Sequence, residues 1–311
     1  LENNKMKEIK IFTPATVANI SCGFDILGLC LDTVGDEMIV REVPEKGIKI
    51  TKVTGQNLPL ETHRNVAGVA GLALLEQVDA SVGYEIEIYK KIKPGSGIGS
   101  SAASAAGAVF AINELLGKPF SKQELIYFAM QGEKLASGTE HADNVSPVIL
   151  GGFTLVRSYE PLDVLKINSP DDLYATIIHP QIEVKTSDSR AVLKNQVSLK
   201  KMVTQMGNFG GLISGLYTNN YDLIGRSLHD EIIEPNRLVL IPEFDKVKKG
   251  VIQAGALGAG ISGSGPSIFA LSKGKETANI VGETMAEIYN TTDIDYDIHV
   301  SKINQQGIKI L

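Results

Sequence analysis

Apolar and polar residues alternate in several short runs along the first half of the chain, and such runs predict β-strands. Residues 84–89 show the pattern most clearly, because tyrosine and isoleucine alternate there with glutamate. An alternating run places its apolar side chains on one face of a strand. Similar runs occur at residues 10–12, 37–42 and 48–53. Together these runs predict a largely antiparallel sheet.

Three segments around these strands carry apolar residues at helical spacing instead. They lie at residues 65–78, 100–116 and 122–136. The third begins with Ser121 and Glu124, a capping box in which each side chain bonds an amide that lacks a partner inside the helix. We therefore expect helices between and after the first strands.

The second half of the chain mixes both patterns. Strands are predicted at residues 153–157, 174–178, 257–262, 267–271 and 296–302, and helices at residues 198–217, 243–254 and 275–289. Because helices and antiparallel strands occur without the regular alternation of a doubly wound fold, the pattern favours an α+β protein. Turn-forming residues, including Pro161 and Pro170, cluster at residues 158–172, which is the candidate boundary between two domains.

Composition limits the classes of partner and environment. The 311 residues are 43% hydrophobic and 21% charged, with a net charge of −6. Binding to nucleic acid needs lysine and arginine clustered on one face, so we do not expect this acidic chain to bind nucleic acid. No apolar run reaches the roughly 20 residues of a membrane span, and Cys22 and Cys30 are too few for a disulfide framework. We expect a cytoplasmic protein with no membrane association.

The clearest chemical feature is a glycine-rich segment between a predicted strand and an alanine-rich helix. It reads Pro94-Gly95-Ser96-Gly97-Ile98-Gly99-Ser100-Ser101-Ala102-Ala103. Its glycines permit a positive φ and close approach of the backbone. The first turn of the following helix offers unpartnered amides at the positive end of the helix dipole. The segment therefore indicates an anion site, and the alternative is a tight turn that serves only helix packing.

Two common phosphate-binding motifs resemble this segment but do not fit it. Residues 97–102 match the dinucleotide pattern G-x-G-x-x-A, but that motif needs a strand ending in Asp or Glu about 20 residues later. A second helix is predicted there instead. A P-loop needs a lysine directly after its last glycine, and Ser100 occupies that position.

Two further segments suit a binding site. Residues 258–267 are rich in glycine and lie between two predicted strands, which indicates close approach to a ligand or to another loop. Residues 14–28 are mostly small and apolar but include Asn19 and Asp25, which suit the floor of a pocket and equally suit turns. We expect the two glycine-rich segments to converge on one polyphosphate.

In combination, the three segments resemble the GHMP kinases, which include galactokinase and mevalonate kinase. Members of this superfamily share an N-terminal segment, a central P-x-x-x-G-[LI]-G-S-S-A-A motif and a C-terminal glycine-rich loop, and here Ile98 stands where many relatives have leucine. The resemblance covers essentially the whole chain. It implies an α+β two-domain fold, with an N-terminal ribosomal-S5-domain-2-like domain at residues 1–165 and a C-terminal ferredoxin-like α+β sandwich at residues 166–311.

Within the superfamily, four segments are similar to the branch that phosphorylates the amino-acid alcohol L-homoserine. They are residues 14–25, 137–147, 186–190 and 234–237. The second contains His141-Ala142-Asp143-Asn144-Val145, whereas the corresponding loop of mevalonate kinases carries a catalytic aspartate after Ser-Gly. This branch implies ATP-dependent phosphorylation of the L-homoserine side-chain hydroxyl in threonine biosynthesis, by an enzyme that is often a homodimer.

The resemblance also implies roles for individual residues at the nucleotide end. The ATP site would comprise Pro94, Gly95, Ser96, Gly97, Ile98, Gly99, Ser100, Ser101, Ala102, Asn65 and Gly263. Ser101 and Glu133 would hold Mg²⁺, which prefers a few oxygen ligands and retained water. Without the resemblance, Glu133 would suit a solvated ion pair with Lys134 or Lys122.

At the other end, a zwitterionic substrate needs fixed charges of both signs. By resemblance, Arg190 and Arg237 would bind the carboxylate, since a guanidinium can bond both of its oxygens. Asp25 would bind the ammonium group. The other substrate-binding residues would be Asn19, His141, Asn144 and Thr186. On their own, the arginines would equally suit surface ion pairs, and His141 an ordinary loop or core position.

The proton acceptor is left open. Asn19, Glu133 and Asp143 are the catalytic candidates, and the resemblance makes Asp143 the carboxylate nearest to the base of other GHMP kinases. The alternative is direct transfer, in which the hydroxyl gives its proton to a phosphate oxygen or to water, because a loose transition state tolerates a weak nucleophile. Two other functions compete: a GHMP kinase for another alcohol, such as mevalonate or shikimate, and a nucleotide-binding sensor without turnover.

Overall fold

The computed structural model describes residues 6–311, which fold around two β-sheets. The first sheet comprises β1 (Glu8–Ala18), β2 (Leu27–Val43), β3 (Ile48–Thr54), β4 (Gly83–Tyr89), β5 (Phe153–Tyr159), β6 (Leu162–Ile167) and β11 (Lys309–Ile310). Its central order is β11-β1-β2-β4-β3, and β5 joins the start of β2 and pairs with β6. The pairs are antiparallel apart from β3 with β4, which confirms the largely antiparallel sheet.

Four helices pack against this sheet. They are α1 (Val66–Leu75), α2 (Ser100–Leu115), α3 (Lys122–Ser137) and α4 (Ala142–Leu150). The alanine-rich α2 is buried along almost its whole length, because small side chains let it contact β1 as well as α1 and α3. The predicted capping box at Ser121 and Glu124 is present at the start of α3.

The second sheet is antiparallel and has the order β10-β7-β9-β8. Its strands are β7 (Leu173–Pro180), β8 (Gly258–Ile261), β9 (Ile268–Lys273) and β10 (Tyr296–Lys302). The helices of this half are α5 (Thr186–Ala191), α6 (Leu199–Thr218), α7 (Tyr221–Ser227), α8 (Glu234–Arg237), α9 (Phe244–Gln253) and α10 (Lys275–Tyr289). Apolar residues of α9 and α10 form a core with this sheet.

One hydrophobic cluster joins the two sheets. It contains Val17 of β1 and Leu29 of β2 together with Ala175 of β7, Phe269 of β9 and Leu216 of α6. Burial of this shared apolar surface holds the sheets against each other. The segments that follow β1 and precede α2 are therefore placed beside the turn between β8 and β9.

The sequence pattern predicted the class and most of the elements. The α+β class is confirmed, and each strand and helix predicted above is present. The pattern did not predict β6, β11 or the short helices α4, α5, α7 and α8. The proposed division between residues 165 and 166 falls inside β6 and stays a prediction. Within residues 6–311, no helix is both long and apolar enough to span a bilayer.

Two helical glycines give a matched test of packing around α2. A Cβ at Gly107 would overlap the Thr13 side chain of β1, whereas one at Gly207 of α6 would meet nothing within 4 Å. We expect Gly107→Ala to lower the free energy of unfolding by about 1–3 kcal/mol through overpacking. Gly207→Ala is expected to raise it by about 0.5–1 kcal/mol through helix propensity. Chemical denaturation measures both, and equal stability of the two variants would contradict the packing assigned to α2.

Candidate active site

A cavity of about 530 Å³ opens beside the junction of the two sheets. It collects residues from the turn before α2, from α3, α4, α5 and α8, and from the turn between β8 and β9. Most of the predicted site residues line it: Asn19, Asp25, Asn65, Pro94, Gly95, Ser96, Gly97, Gly99, Ser100, Ser101, Glu133, His141, Asp143, Asn144, Thr186, Arg190, Arg237 and Gly263. Ile98 and Ala102 do not line it, because their side chains are buried in the hydrophobic cores.

The turn before α2 has the backbone geometry of an anion site. Gly95, Gly97 and Gly99 have φ values of 74°, 82° and 73°, which L side chains rarely adopt. A Cβ at Gly99 would also overlap the Thr16 hydroxyl. Because α2 begins at Ser100, the amides of its first turn have no helical partner, and no acidic residue lies in that turn. The positive end of the helix dipole therefore faces the cavity.

The second glycine-rich turn packs directly against the first. The Ser262 hydroxyl donates to the Gly97 carbonyl over 2.7 Å, and the Ser267 hydroxyl donates to the Ser96 carbonyl over 2.6 Å. Gly263 also lines the cavity. The two turns thus meet through serine hydroxyls, so the second turn approaches another loop, and convergence of both turns on a polyphosphate stays a prediction.

Ser101 and Glu133 lie together at this end of the cavity. Glu133 is 5% exposed, and burial raises the pKa of its carboxyl to about 7. A hydrogen bond from Ser101 and the charge of Lys90 act in the opposite direction. The pair presents a hydroxyl and a carboxylate, both hard oxygen donors.

Charges of both signs lie at the other end of the cavity. Both carboxylate oxygens of Asp25 accept from Arg190 Nη2 at 2.9 Å. His141 Nε2 lies 3.3 Å from the same nitrogen. Burial lowers the pKa of His141; the charge of Asp25 acts in the opposite direction, and the arginine charges lower it further.

Arg237 is a second guanidinium beside this group. It is 3% exposed, and its Nε and Nη1 donate to the carbonyls of Ser189 and Gly263, each over 3.1 Å. Burial lowers the pKa of Arg237 to about 10, which leaves the side chain charged at neutral pH. The structure therefore places both predicted arginines at one end of the cavity.

Several of the polar candidates are already held by neighbours. Asn19 Oδ1 accepts from the Asp25 amide over 3.0 Å, and Asn19 Nδ2 donates to the Gly263 carbonyl over 2.7 Å. Asn144 Oδ1 accepts from the Thr16 hydroxyl over 2.8 Å. Asn65 caps α1, with its Oδ1 accepting from Ala67 N over 3.0 Å. These contacts fix the shape of the cavity wall.

Asp143 also lines the cavity. It is buried in the first turn of α4, where its Oδ1 accepts from the Asn144 amide over 3.1 Å. Burial, together with the charges of Asp25 and Glu133, raises the pKa of Asp143 to about 7. A carboxyl with such a pKa is divided between its two protonation states near neutral pH.

The comparisons with known proteins agree with this geometry. The family profile of the GHMP kinases N terminal domain matches residues 64–152, and that of the GHMP kinases C terminal matches residues 212–291. A homoserine kinase of Chlorobium phaeobacteroides is 46% identical over 98% of this chain and 100% of its own length. One from Methanococcus vannielii is 40% identical over 92% of this chain and 94% of its own. The chain belongs to the homoserine kinase family of GHMP kinases.

Solved structures extend the family match to the fold. A homoserine kinase from Cytophaga hutchinsonii is 52% identical and superposes with a TM-score of 0.95 over 100% of both chains. Mevalonate kinase from L. major is 17% identical with a TM-score of 0.71 over 97% of this chain and 98% of its own, and this likeness shows the fold alone. The family and its two-domain fold, first indicated by three short segments, are confirmed.

The sequence pattern did not lead us to predict one buried ion pair, between Lys90 and Asp36. Lys90 and Asp36 are hydrogen-bonded to each other, and each side chain is 1% exposed. Lys90 Nζ also donates to the Ser100 carbonyl over 2.8 Å and to the Ser104 hydroxyl over 3.1 Å. Burial lowers the pKa of Lys90, while the charge of Asp36 acts in the opposite direction. The pair ties the sheet to the first turn of α2.

The alternation of β4 contained the signal for this pair. Tyr84, Ile86 and Ile88 are buried on the inward face, and the same period of two puts Lys90 on that face. A lysine at an apolar position requires a partner, because an unpaired buried charge is costly. Asp36 supplies it from β2, whose register with β4 pairs Met38 with Ile88.

Removal of one partner of the Lys90–Asp36 pair should strongly lower the stability of the fold. We expect Lys90→Met to lower the free energy of unfolding by about 3–5 kcal/mol, because it leaves Asp36 buried without its countercharge. Lys46→Met is the control, since Lys46 pairs with Asp79 on the exposed surface and its loss is expected to change stability by at most about 0.5 kcal/mol. Denaturant unfolding without ligand measures both, and the double variant Asp36→Asn/Lys90→Met should be less destabilised than the sum of the single changes.

Proposed function

We propose that this protein transfers the γ-phosphate of ATP to the side-chain hydroxyl of L-homoserine, giving O-phospho-L-homoserine and ADP for threonine biosynthesis. One observation carries the proposal. A single cavity has the unpartnered amides of α2 at one end and Asp25, Arg190 and Arg237 at the other. The first end suits a polyphosphate and the second suits a zwitterion. The homoserine kinases to which the chain is similar support this pairing of ligands.

At the nucleotide end, the ATP phosphates would lie against the amides of residues 94–101. Ser101 and Glu133 would hold Mg²⁺, and the donors fit that ion because both are oxygens, one of them a carboxylate. When bound, Mg²⁺ neutralises charge on the β- and γ-phosphates. The chain itself would position the phosphates through the backbone amides of the turn before α2.

At the amino-acid end, Arg190 and Arg237 would bind the carboxylate and Asp25 the ammonium group. Asn19, Asn144, His141 and Thr186 would complete the wall around the side chain. Positioning is the main task, because phosphoryl transfer requires little covalent chemistry from the protein.

The substrate itself provides the first test. We expect ADP release with L-homoserine, and release at least about 10-fold slower with L-serine and L-threonine, because a hydroxyl displaced from the line of transfer reacts poorly. Mevalonate and shikimate in the same coupled assay test the other GHMP kinase activities. ATP binding without ADP production by any of these alcohols would contradict the proposal and favour a sensor.

A substitution at Asp143 tests which group accepts the proton of the substrate hydroxyl. We propose direct transfer, in which the hydroxyl gives its proton to a phosphate oxygen or to water, so Asp143→Ala should retain measurable turnover. A loss of about 10⁴-fold or more, at the upper limit for a general base, would instead assign the base to Asp143. The control is Asp79→Asn on the exposed surface, which should leave kcat unchanged.

Location and assembly stay predictions. Composition led us to expect a cytoplasmic protein, and the resemblance implies an enzyme that is often a homodimer. The molar mass in solution, measured by analytical ultracentrifugation at several concentrations, tests the assembly.

A further inference from the structure

Phe24 contacts both arginines of the cavity. Its ring centroid is 5.5 Å from Arg190 Cζ and 5.0 Å from Arg237 Cζ. Both distances are within the range in which a guanidinium is attracted to an aromatic face. The arginines belong to α5 and α8, and Phe24 belongs to the connection between β1 and β2. One ring therefore contacts charges from two separate helices.

Contacts other than the ring also act on these two charges, since Arg237 Nε donates to the carbonyl of Ser189, the residue before Arg190 in α5. Arg190 is paired with Asp25, but within residues 6–311 no carboxylate lies at ion-pair distance from Arg237. Burial lowers the pKa of Arg237, the charge of Asp25 acts in the opposite direction, and the charge of Arg190 lowers the pKa further. The two guanidiniums therefore repel each other, while Asp25 attracts both. Arg190 Nε is buried without a hydrogen-bond partner in the described chain. Both guanidiniums thus lie within 5.5 Å of one ring, and Arg190 keeps a donor that a ligand could use.

The backbone around Phe24 adopts an unusual conformation and is cross-linked by hydrogen bonds. Asn19, Ile20 and Ser21 have φ values of 71°, 43° and 58°, a conformation that costs energy for residues other than glycine. Asn19 O accepts from the Gly23 amide over 2.9 Å. Its side chain also accepts from the amide of Asp25. A strained and cross-linked loop of this kind gives the ring a defined position.

We propose that Phe24 is a positioning residue, whose ring holds Arg190 and Arg237 side by side so that both can bind the carboxylate of the amino-acid substrate. The identity of that carboxylate rests on the proposed function. An ordinary apolar contact would be satisfied by any side chain of similar size, whereas this role requires the aromatic face.

The test compares variants of Phe24 on two substrates. Phe24→Leu and Phe24→Met keep the apolar volume without the ring, and Phe24→Tyr keeps the ring. The substrates are L-homoserine and 3-aminopropan-1-ol, which has the same amine and hydroxyl but no carboxylate.

We expect Phe24→Leu and Phe24→Met to raise the KM for L-homoserine by about 10-fold, as the loss of two cation–π contacts implies. The KM for ATP and the kcat/KM for 3-aminopropan-1-ol should stay within about twofold, and Phe24→Tyr should behave as the wild type.

Three results would overturn this role. Equal losses of kcat/KM on both substrates would show that the ring only supports the fold. A rise in the KM for L-homoserine as large in Phe24→Tyr as in Phe24→Leu would show that the aromatic face is not required. An unchanged KM in both apolar variants would show that the ring has no role in binding L-homoserine. Wild-type activity on L-homoserine separately tests the proposed function, so failure of the function and failure of the role of Phe24 are distinguished.

Discussion

The contact between the two glycine-rich turns is the constraint on which the rest of the site depends. Ser262 and Ser267 bond the carbonyls of Gly97 and Ser96 at 2.7 and 2.6 Å. A Cβ at Gly97 would lie 2.7 Å from the Gly265 carbonyl oxygen, so the contact exists only because that side chain is absent. With these carbonyls turned toward the second turn, the first-turn amides of α2 remain available to an anion.

The turn between β8 and β9 also fixes the positions of residues at the amino-acid end of the cavity. The Gly263 carbonyl accepts from Asn19 Nδ2 and from Arg237 Nη1, and the Ser264 carbonyl accepts from the Ser189 hydroxyl over 3.0 Å. Ser189 directly precedes Arg190 in α5. A few residues between β8 and β9 therefore set the separation between the phosphate site and the two arginines. In-line transfer depends on that separation, because misplacement of the reacting groups by about 1 Å can cost 100-fold in rate.

The sequence predicted the features that depend on local pattern. Alternation located β4, which buries one face, and continuous runs of small and apolar residues located α2 and the hairpin of β8 and β9, which are buried almost throughout. It did not locate α5 and α8, which have six and four residues and no apolar periodicity. Their position follows from contacts far along the chain, such as that of Ser189 with Ser264. The roles of Arg190 and Arg237 came from resemblance, and their meeting at Phe24 required the structure.

The state of Asp25 and Arg190 has a consequence for selectivity. The two side chains form an ion pair, with both carboxylate oxygens of Asp25 2.9 Å from Arg190 Nη2. A ligand with a carboxylate alone would compete with Asp25 for Arg190 and would leave Asp25 without a cation, and an alcohol without charges would gain nothing from either. An unpaired charge in a partly buried site is costly. A zwitterion can bind both residues and leave neither unpaired, so the resting ion pair itself favours an amino acid over a simple acid or alcohol.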